Sequence, residues 1–245
     1  MATEHPSTLD PARMIAEARK AFFVMFALLC VVWAVQLANW ADSYRLSLDF
    51  GIMAHQPGRL PDVLTAPFLH ANWRHLEGNS GPLFVFGFLA AYRGVSRFLG
   101  LTLLVVVTSG LAVWLFERGE VVTVGASGVI YGYFGYVVLR GLFDRNLIDT
   151  LIGLVMGASF AYILTTAVPG TPGVSWLAHL GGLAGGLAGA WIFRDRGPER
   201  AALARPAAAS ATAASAAVPG QPDGPVSSAD PSRAQLLKDL DDLGL

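Results

Sequence analysis

Long apolar blocks separated by short polar segments occupy most of the chain. The first block runs from Ala21 to Ala38 without a charged residue, and five more blocks of similar length follow. About 20 apolar helical residues are needed to cross a bilayer core. The pattern therefore predicts an all-α, polytopic membrane protein with a bundle of six transmembrane helices, at about residues 21–38, 76–92, 100–116, 123–140, 148–168 and 174–193.

The composition also indicates a membrane protein. Hydrophobic residues make up 53% of the chain and charged residues only 14%, whereas an average soluble domain is about 25% charged. The arginines stand at the ends of apolar blocks rather than on one basic face, so we expect the lipid bilayer, and no nucleic acid, as a partner. Cys30 is the single cysteine and cannot form an internal disulfide.

Lysine and arginine positions orient the predicted spans, because short cytoplasmic loops are enriched in these residues. If the N-terminus is cytoplasmic, most of them lie inside, so both termini are predicted to be cytoplasmic. The inside set is Arg13, Arg19, Lys20, Arg93, Arg97, Arg140, Arg145, Arg194 and Arg196, and the outside set is Arg45, Arg59, Arg74 and Arg118.

The chain is predicted to have three parts. Residues 1–20 form a polar cytoplasmic segment, residues 21–195 the six-span membrane domain, and residues 196–245 an Ala/Pro-rich cytoplasmic tail. The tail composition predicts disorder, because it cannot bury enough apolar surface to offset chain entropy. Leucines at helical spacing near its end suggest a short terminal helix. Within the membrane domain, the aromatic connection 42–67 is predicted to pack on the outer face.

Four polar or ionisable residues lie in or next to the predicted spans: His75, Asn79, Ser127 and His179. Such residues are costly in a bilayer, so each is a functional candidate, although any one alone is also compatible with helix packing. Asn79, Ser127 and His179 lie 14, 13 and 15 residues before the arginine at the inner end of the same span. These separations correspond to about 21, 20 and 22 Å of helix. A shared depth on three spans indicates a built site.

Glycine pairs in the fourth and sixth predicted spans indicate that their backbones approach closely. Gly128 with Gly132, and Gly182 with Gly186, have the small-x-x-x-small spacing of tightly packed membrane helices. This approach would bring the Ser127 hydroxyl within hydrogen-bond reach of a ring nitrogen.

These residue types suit hydrolysis by a serine nucleophile. A serine hydroxyl becomes reactive when a neutral imidazole takes its proton. No acidic residue lies deep in a span to orient the ring, so Ser127 and His179 are predicted to form a dyad. Tyr131, one turn beyond the serine, is predicted to pack on the ring. Asn79 and His75 share a helix face and, with the Ser127 backbone N–H, could donate hydrogen bonds to an oxyanion.

Three motifs resemble those of the rhomboid family of intramembrane serine proteases, in its bacterial six-span form. H-A-N-W-R-H-L-E-G-N carries His70, His75 and Asn79, G-A-S-G-V-I-Y carries Ser127 and Tyr131, and A-H-L-G-G-L-A-G-G carries His179 and its glycines. The likeness covers about residues 55–195.

The resemblance implies specific roles and a substrate class. It implies a Ser127 nucleophile, a His179 base and oxyanion donors at Asn79 and His75, with supporting positions at Tyr131, Gly125, Gly128, His70, Gly182 and Gly186. It also implies single-pass membrane proteins as substrates, location in the cell (inner) membrane, and chemistry without a cofactor or metal.

Two departures from the family pattern concern loops. Pro61-Asp62 stands where rhomboids often carry Trp-Arg, and Ser96 stands in a short loop where an acidic residue is common. Both positions bear on loop anchoring rather than on the predicted dyad.

Two other functions match part of the pattern. A catalytically inactive rhomboid-like binding protein keeps the spans but loses the serine or the histidine, and both are present here. A small transporter also places polar groups at one depth, but the sequence shows no internal repeat.

Other hydrolase classes lack their signatures. The H-E-x-x-H motif of zinc proteases is absent. Asp144 and Asp149, the candidates for an aspartyl pair, are expected to be solvated at the inner edge. The soluble G-x-S-x-G elbow is not expected either, because Val129 replaces its last glycine and no strand is predicted before the serine.

Overall fold

The computed structural model describes residues 11–195, so the predicted tail 196–245 lies outside the described residues. The described part is mostly helical. Its elements are α1 Pro11–Ala41, α2 Arg45–Phe50, β1 Ile52–Met53, α3 Trp73–Ala91, α4 Val95–Phe116, β2 Val122–Thr123, α5 Ser127–Asp144, α6 Leu147–Phe160 and α7 Trp176–Ile192, with 3-10 helices at Pro57–Val63, Ala66–Phe68 and Ala161–Thr166.

Three helical segments in the described range are long and apolar enough to cross a membrane by themselves: Pro11–Ala41, Val95–Phe116 and Leu147–Thr166. Helices α3, α5 and α7 fall below the same criterion. Helix α7 has only 17 residues, and the polar residues and glycines of α3 and α5 lower the hydropathy of those two helices.

Polar caps determine where three of the helices begin, because the first backbone N–H groups of a helix lack partners within it. Before α3, the Asn72 side chain accepts a hydrogen bond from the His75 N–H. Before α6, the Asn146 side chain accepts one from the Asp149 N–H. Before α7, the Ser175 side chain accepts one from the Ala178 N–H.

Three boundaries differ from the predicted spans. Helix α1 begins at Pro11, ten residues earlier than expected, and its polar start contains a Lys20–Glu17 ion pair at helical spacing. Helix α5 begins at Ser127 itself, after β2 pairs antiparallel with β1. The expectation that no strand precedes the serine is therefore wrong, although this strand has only two residues. Helix α6 ends at Phe160 and continues as a 3-10 helix.

The connection between α1 and α3 packs against α4. Arg59 pairs with Asp62 and donates hydrogen bonds of 2.8 Å to the carbonyls of Leu48 and Gly51. Val63 packs so closely on Gly110 of α4 that an added Cβ there would lie 2.3 Å from it. Asp62, at the position of the missing Trp-Arg pair, thus takes part in a local anchor of its own.

Helices α5 and α7 are in backbone contact. A Cβ added to Gly182 or Gly186 would lie 1.9 Å from the carbonyl oxygen of Gly128 or Gly132, respectively. No side chain larger than hydrogen fits these positions. The predicted close approach through the two glycine pairs is confirmed.

The far end of α5 carries a network of ion pairs. Arg140 lies 2.9 Å from Asp144 and 3.7 Å from Asp149, which also pairs with Arg93. The two aspartate side chains are only 5% and 13% exposed, so the expectation that they are solvated is wrong. Burial opposes the charge on Arg93, but the hydrogen bond to Asp149 and the negative charges of Asp149 and Asp144 together outweigh it and raise the pKa of that guanidinium.

Candidate active site

Ser127 and His179 are in hydrogen-bond contact. The serine Oγ lies 2.8 Å from His179 Nε2, and His179 Nδ1 lies 2.8 Å from the backbone oxygen of Thr166. A carbonyl oxygen only accepts, so Nδ1 carries the ring proton. In a neutral ring, Nε2 is then the acceptor for the serine hydroxyl. This is the tautomer that can take a proton from serine.

Tyr131 lies flat on the His179 ring. The two ring centroids are 4.1 Å apart and the planes differ by 9°. The tyrosine hydroxyl donates to the Ile163 carbonyl and lies 2.6 Å from Thr166 Oγ1. One side chain therefore restrains both the imidazole and the 3-10 helix that supplies its acceptor.

Gly125 allows His75 to approach the segment that leads into Ser127. Its φ of 124° is a backbone conformation that residues other than glycine rarely adopt. A Cβ added at this position would lie 2.6 Å from His75 Cε1. His75 lies in the first turn of α3, one turn before Asn79. The imidazole is thus held beside the segment that leads into Ser127.

His70 connects Asn79 to the segment that leads into Ser127. Its Nε2 lies 3.1 Å from Asn79 Nδ2 and accepts the Ala126 N–H at 3.4 Å. The ring is fully buried, and this burial, with a smaller contribution from His75, lowers the pKa of His70 to about 3. A neutral His70 with an unprotonated Nε2 suits both donors, and one of the two amide hydrogens of Asn79 stays free for another partner.

A further set of buried polar residues, which the sequence motifs do not indicate, lies behind His70. Asn39 Nδ2 donates to the His70 carbonyl at 3.1 Å and to Ser47 Oγ at 2.8 Å, and its Oδ1 accepts the Ser47 N–H. Asn39 is fully buried. A signal existed, because Gln36 and Asn39 are polar residues three apart in an otherwise apolar block. The Thr166 carbonyl was also missed, and a backbone acceptor has no sequence signal.

These groups surround one cavity of about 430 Å³. Ser127, His179, His75, Asn79 and Thr166 line it, together with the strand-containing segment 121–125. A serine hydroxyl hydrogen-bonded to a basic ring nitrogen, next to amide and imidazole donors, can support attack on a carbonyl carbon. Within residues 11–195, no three His, Cys, Asp or Glu side chains are grouped so that they could hold a metal ion.

The supporting residues of the predicted site are divided between two places. Gly125 lines the cavity with Asn79 and His75, and the buried His70 lies behind them in contact with Asn79. Gly128, Gly182 and Gly186 form the α5–α7 contact behind it. The structure thus brings every predicted site residue into one region, and the chemical roles of these residues remain predictions.

Comparison with known proteins identifies the family. The rhomboid domain profile matches residues 57–196. An uncharacterized protein of Mycobacterium tuberculosis is 36% identical over 184 residues, which cover 72% of this chain and 75% of that protein. YdcA of Bacillus subtilis, whose name describes it provisionally as a rhomboid protease, is 30% identical over 173 residues, 66% of this chain and 82% of its own length. Rhomboid-like protein 11 of Arabidopsis thaliana chloroplasts is 38% identical over 92 residues, 36% and 33% of the two chains.

The chain therefore belongs to the rhomboid family. Rhomboids are helical membrane proteins, and membership of the family implies proteolysis within the membrane.

Proposed function

We propose that this protein is an intramembrane serine endopeptidase that hydrolyses peptide bonds of single-span membrane proteins with a Ser127–His179 dyad. The observation that carries the proposal is the 2.8 Å contact between Ser127 Oγ and His179 Nε2 at a cavity large enough for a peptide segment. Nucleophile and base in direct contact, with the base oriented by a third group, are typical of serine hydrolases.

In the proposed reaction, His179 Nε2 takes the hydroxyl proton while Ser127 Oγ attacks the scissile carbonyl carbon. The Thr166 carbonyl holds the Nδ1 proton and keeps the ring in its reactive tautomer. The same imidazole then returns its proton to the leaving amine, and an acyl-enzyme remains. Water, deprotonated by His179, then attacks the ester. As the ester bond breaks, His179 returns this proton to Ser127 Oγ, and the second product leaves as a carboxylic acid.

The oxyanion that forms during attack needs hydrogen-bond donors. We assign this role to the Asn79 amide, a ring nitrogen of His75 and the backbone N–H of Ser127. Ser127 is the first residue of α5, and an N–H at this position has no acceptor within its own helix. His70 supports the assignment, because it orients the Asn79 amide and the loop before the serine together.

The proposal includes six spans with both termini in the cytoplasm of a bacterial cell. Helices α3, α5 and α7 would cross the membrane despite the polar residues of α3 and α5 and the short length of α7, because their polar and glycine-rich faces contact protein rather than lipid. Most of α5 is buried among its neighbours. The cavity would then open toward the outer side, so substrates would be cut near the outer end of their span.

Labelling with a fluorescent fluorophosphonate in detergent tests the proposal. The wild-type protein is expected to be labelled, Ser127→Ala is expected to be unlabelled, and the exposed-site control Ser96→Ala is expected to match wild type. Equal labelling of Ser127→Ala would contradict the nucleophile assignment. A folded wild-type protein that is neither labelled nor able to cleave any single-span substrate would favour the inactive, rhomboid-like binding protein instead.

A further inference from the structure

Among residues 11–195, Glu117 is the only acidic side chain that lines the active-site cavity, and no lysine or arginine of this range lines it. The remaining lining side chains are small, apolar, or carry hydroxyl, amide or imidazole groups. Glu117 follows the last residue of α4 and is half-buried. A single carboxylate thus faces the space in which the substrate would lie.

The carboxylate lies at the beginning of α7. Its Oε2 accepts a hydrogen bond of 3.4 Å from Ser175 Oγ, and its Oε1 accepts the Arg118 N–H at 3.2 Å. Ser175 is the capping residue of α7 and precedes His179 by four positions, a rise of about 6 Å. The negative group therefore bonds to a residue that precedes the proposed base by about one helical turn on the same helix.

Glu117 lacks a cationic side chain as a partner among residues 11–195. Asp62, Asp144 and Asp149 all form ion pairs with arginine, whereas none of the described ion pairs includes Glu117. Its two hydrogen bonds leave lone pairs unused, since a carboxylate can accept about four. In a partly enclosed cavity that no other carboxylate, lysine or arginine of residues 11–195 lines, a carboxylate without an ion-pair partner attracts a cation more strongly than at an open surface.

We propose that Glu117 forms a cation subsite of the cavity and that the enzyme prefers substrates with lysine or arginine near the scissile bond. The inference rests on the proposed function, because the scissile bond is located by Ser127. It adds a substrate class to that function. A carboxylate at a helix N-terminus also stabilises the helix, but that effect is the same for every substrate and so can be separated from selection.

The experiment compares single-span substrates that differ at one residue, which is Lys, Gln or Glu in turn at each position within five residues of the cut. Values of kcat/KM are measured for wild type, Glu117→Gln, Glu117→Lys and Glu117→Asp, with the exposed Glu120→Gln as the matched control. Fluorescent Lys and Glu peptides are also titrated onto Ser127→Ala and onto Ser127→Ala/Glu117→Gln, so that charge selection is measured without cleavage.

At one or more positions, wild type is expected to prefer Lys over Glu by about tenfold, the factor that corresponds to 1.4 kcal/mol. Glu117→Gln is expected to reduce the preference to less than twofold and Glu117→Lys to reverse it, whereas Glu117→Asp and Glu120→Gln retain it. An equal preference in wild type and Glu117→Gln, or a uniform loss of turnover and melting temperature without a change in preference, overturns the subsite. If the Ser127→Ala background binds the Lys peptide selectively but wild type cleaves none of the substrates, the subsite is retained and the protease assignment is overturned.

Discussion

The two ends of α5 accommodate polar groups in different ways. At the first residue, Ser127 takes part in hydrogen bonds among uncharged groups around an open cavity. Near the last residue, the charged Arg140 is only 6% exposed and is neutralised by Asp144 and Asp149. Polar groups that face a cavity keep bonding capacity for a substrate, whereas groups saturated by one another contribute to the structure only.

The difference has an energetic basis. A buried charge is tolerated when it is paired, and removal of one partner leaves the other uncompensated. An uncharged polar group costs less, so the cavity end can leave donors and acceptors unused. Substitutions at the two ends should therefore separate activity from stability, with large effects on cleavage at one end and on unfolding at the other.

The largest effect is expected at the cavity end. Ser127→Ala and His179→Ala should each lower cleavage of a single-span substrate by about 10³-fold or more, because each removes a member of the proposed dyad. Gel-based cleavage by purified protein in detergent measures the loss, and circular dichroism measures helical content, which should stay at the wild-type value. Substantial cleavage by either variant would refute the dyad.

A smaller effect on activity is expected for Asn79→Ala. Loss of one oxyanion donor typically lowers turnover by about 10²- to 10³-fold, whereas an interhelical hydrogen bond in a membrane contributes only about 0.6 kcal/mol. Turnover should therefore fall at least about tenfold, while fluorophosphonate labelling of Ser127 and the melting temperature change little. Wild-type turnover combined with a lower melting temperature would instead assign Asn79 to packing.

At the other end of α5, Asp149→Asn should destabilise the protein without changing its chemistry. The substitution removes the charge that neutralises Arg93 and Arg140. Because Arg93 is partly exposed, we expect a loss of about 2 kcal/mol in the free energy of unfolding, below the range for fully buried pairs. Urea titration in detergent measures the loss, and Asp49→Asn at an exposed site is the control. Loss of labelling in the folded variant would contradict the separation of the two ends.

Acidification should weaken the cavity end through His70. The unfolded chain takes up a proton below pH 6.5, whereas folded His70 stays neutral until about pH 3. The folded state therefore loses stability as pH falls from 6.5 toward 3, by roughly 1 to 2 kcal/mol between pH 7 and pH 5. Urea titrations at both pH values measure the loss. The variant His70→Gln, although less stable at pH 7, should show a smaller acid-induced decrease in the free energy of unfolding. An equal decrease would show that His70 is not its cause.

The sequence predicts well those features that depend on side-chain periodicity. The apolar blocks locate the long helices, the glycine spacing locates the α5–α7 contact, and the equal depth of Asn79, Ser127 and His179 indicates that they converge. Each of these is a regular function of position along a helix.

Features that depend on the backbone or on contacts between distant segments could not be predicted in this way. The two-residue strands form only because residues 52–53 and 122–123 meet in space. The buried state of Asp149 depends on Arg93, which lies in the connection between α3 and α4. The link from Asn39 through His70 to Asn79 crosses three segments, and hydropathy along the chain reports none of these pairings.

The acceptor for His179 Nδ1 is a main-chain oxygen, and this has a consequence for genetics. Every amino acid carries the same carbonyl, so most substitutions at position 166 would leave the acceptor in place, even though they change the side chain that contacts the Tyr131 hydroxyl. Insertion, deletion or a proline within Ala161–Thr166 would move that oxygen without altering its identity. The orientation of the imidazole thus depends on the length and path of a short helix rather than on the identity of a residue.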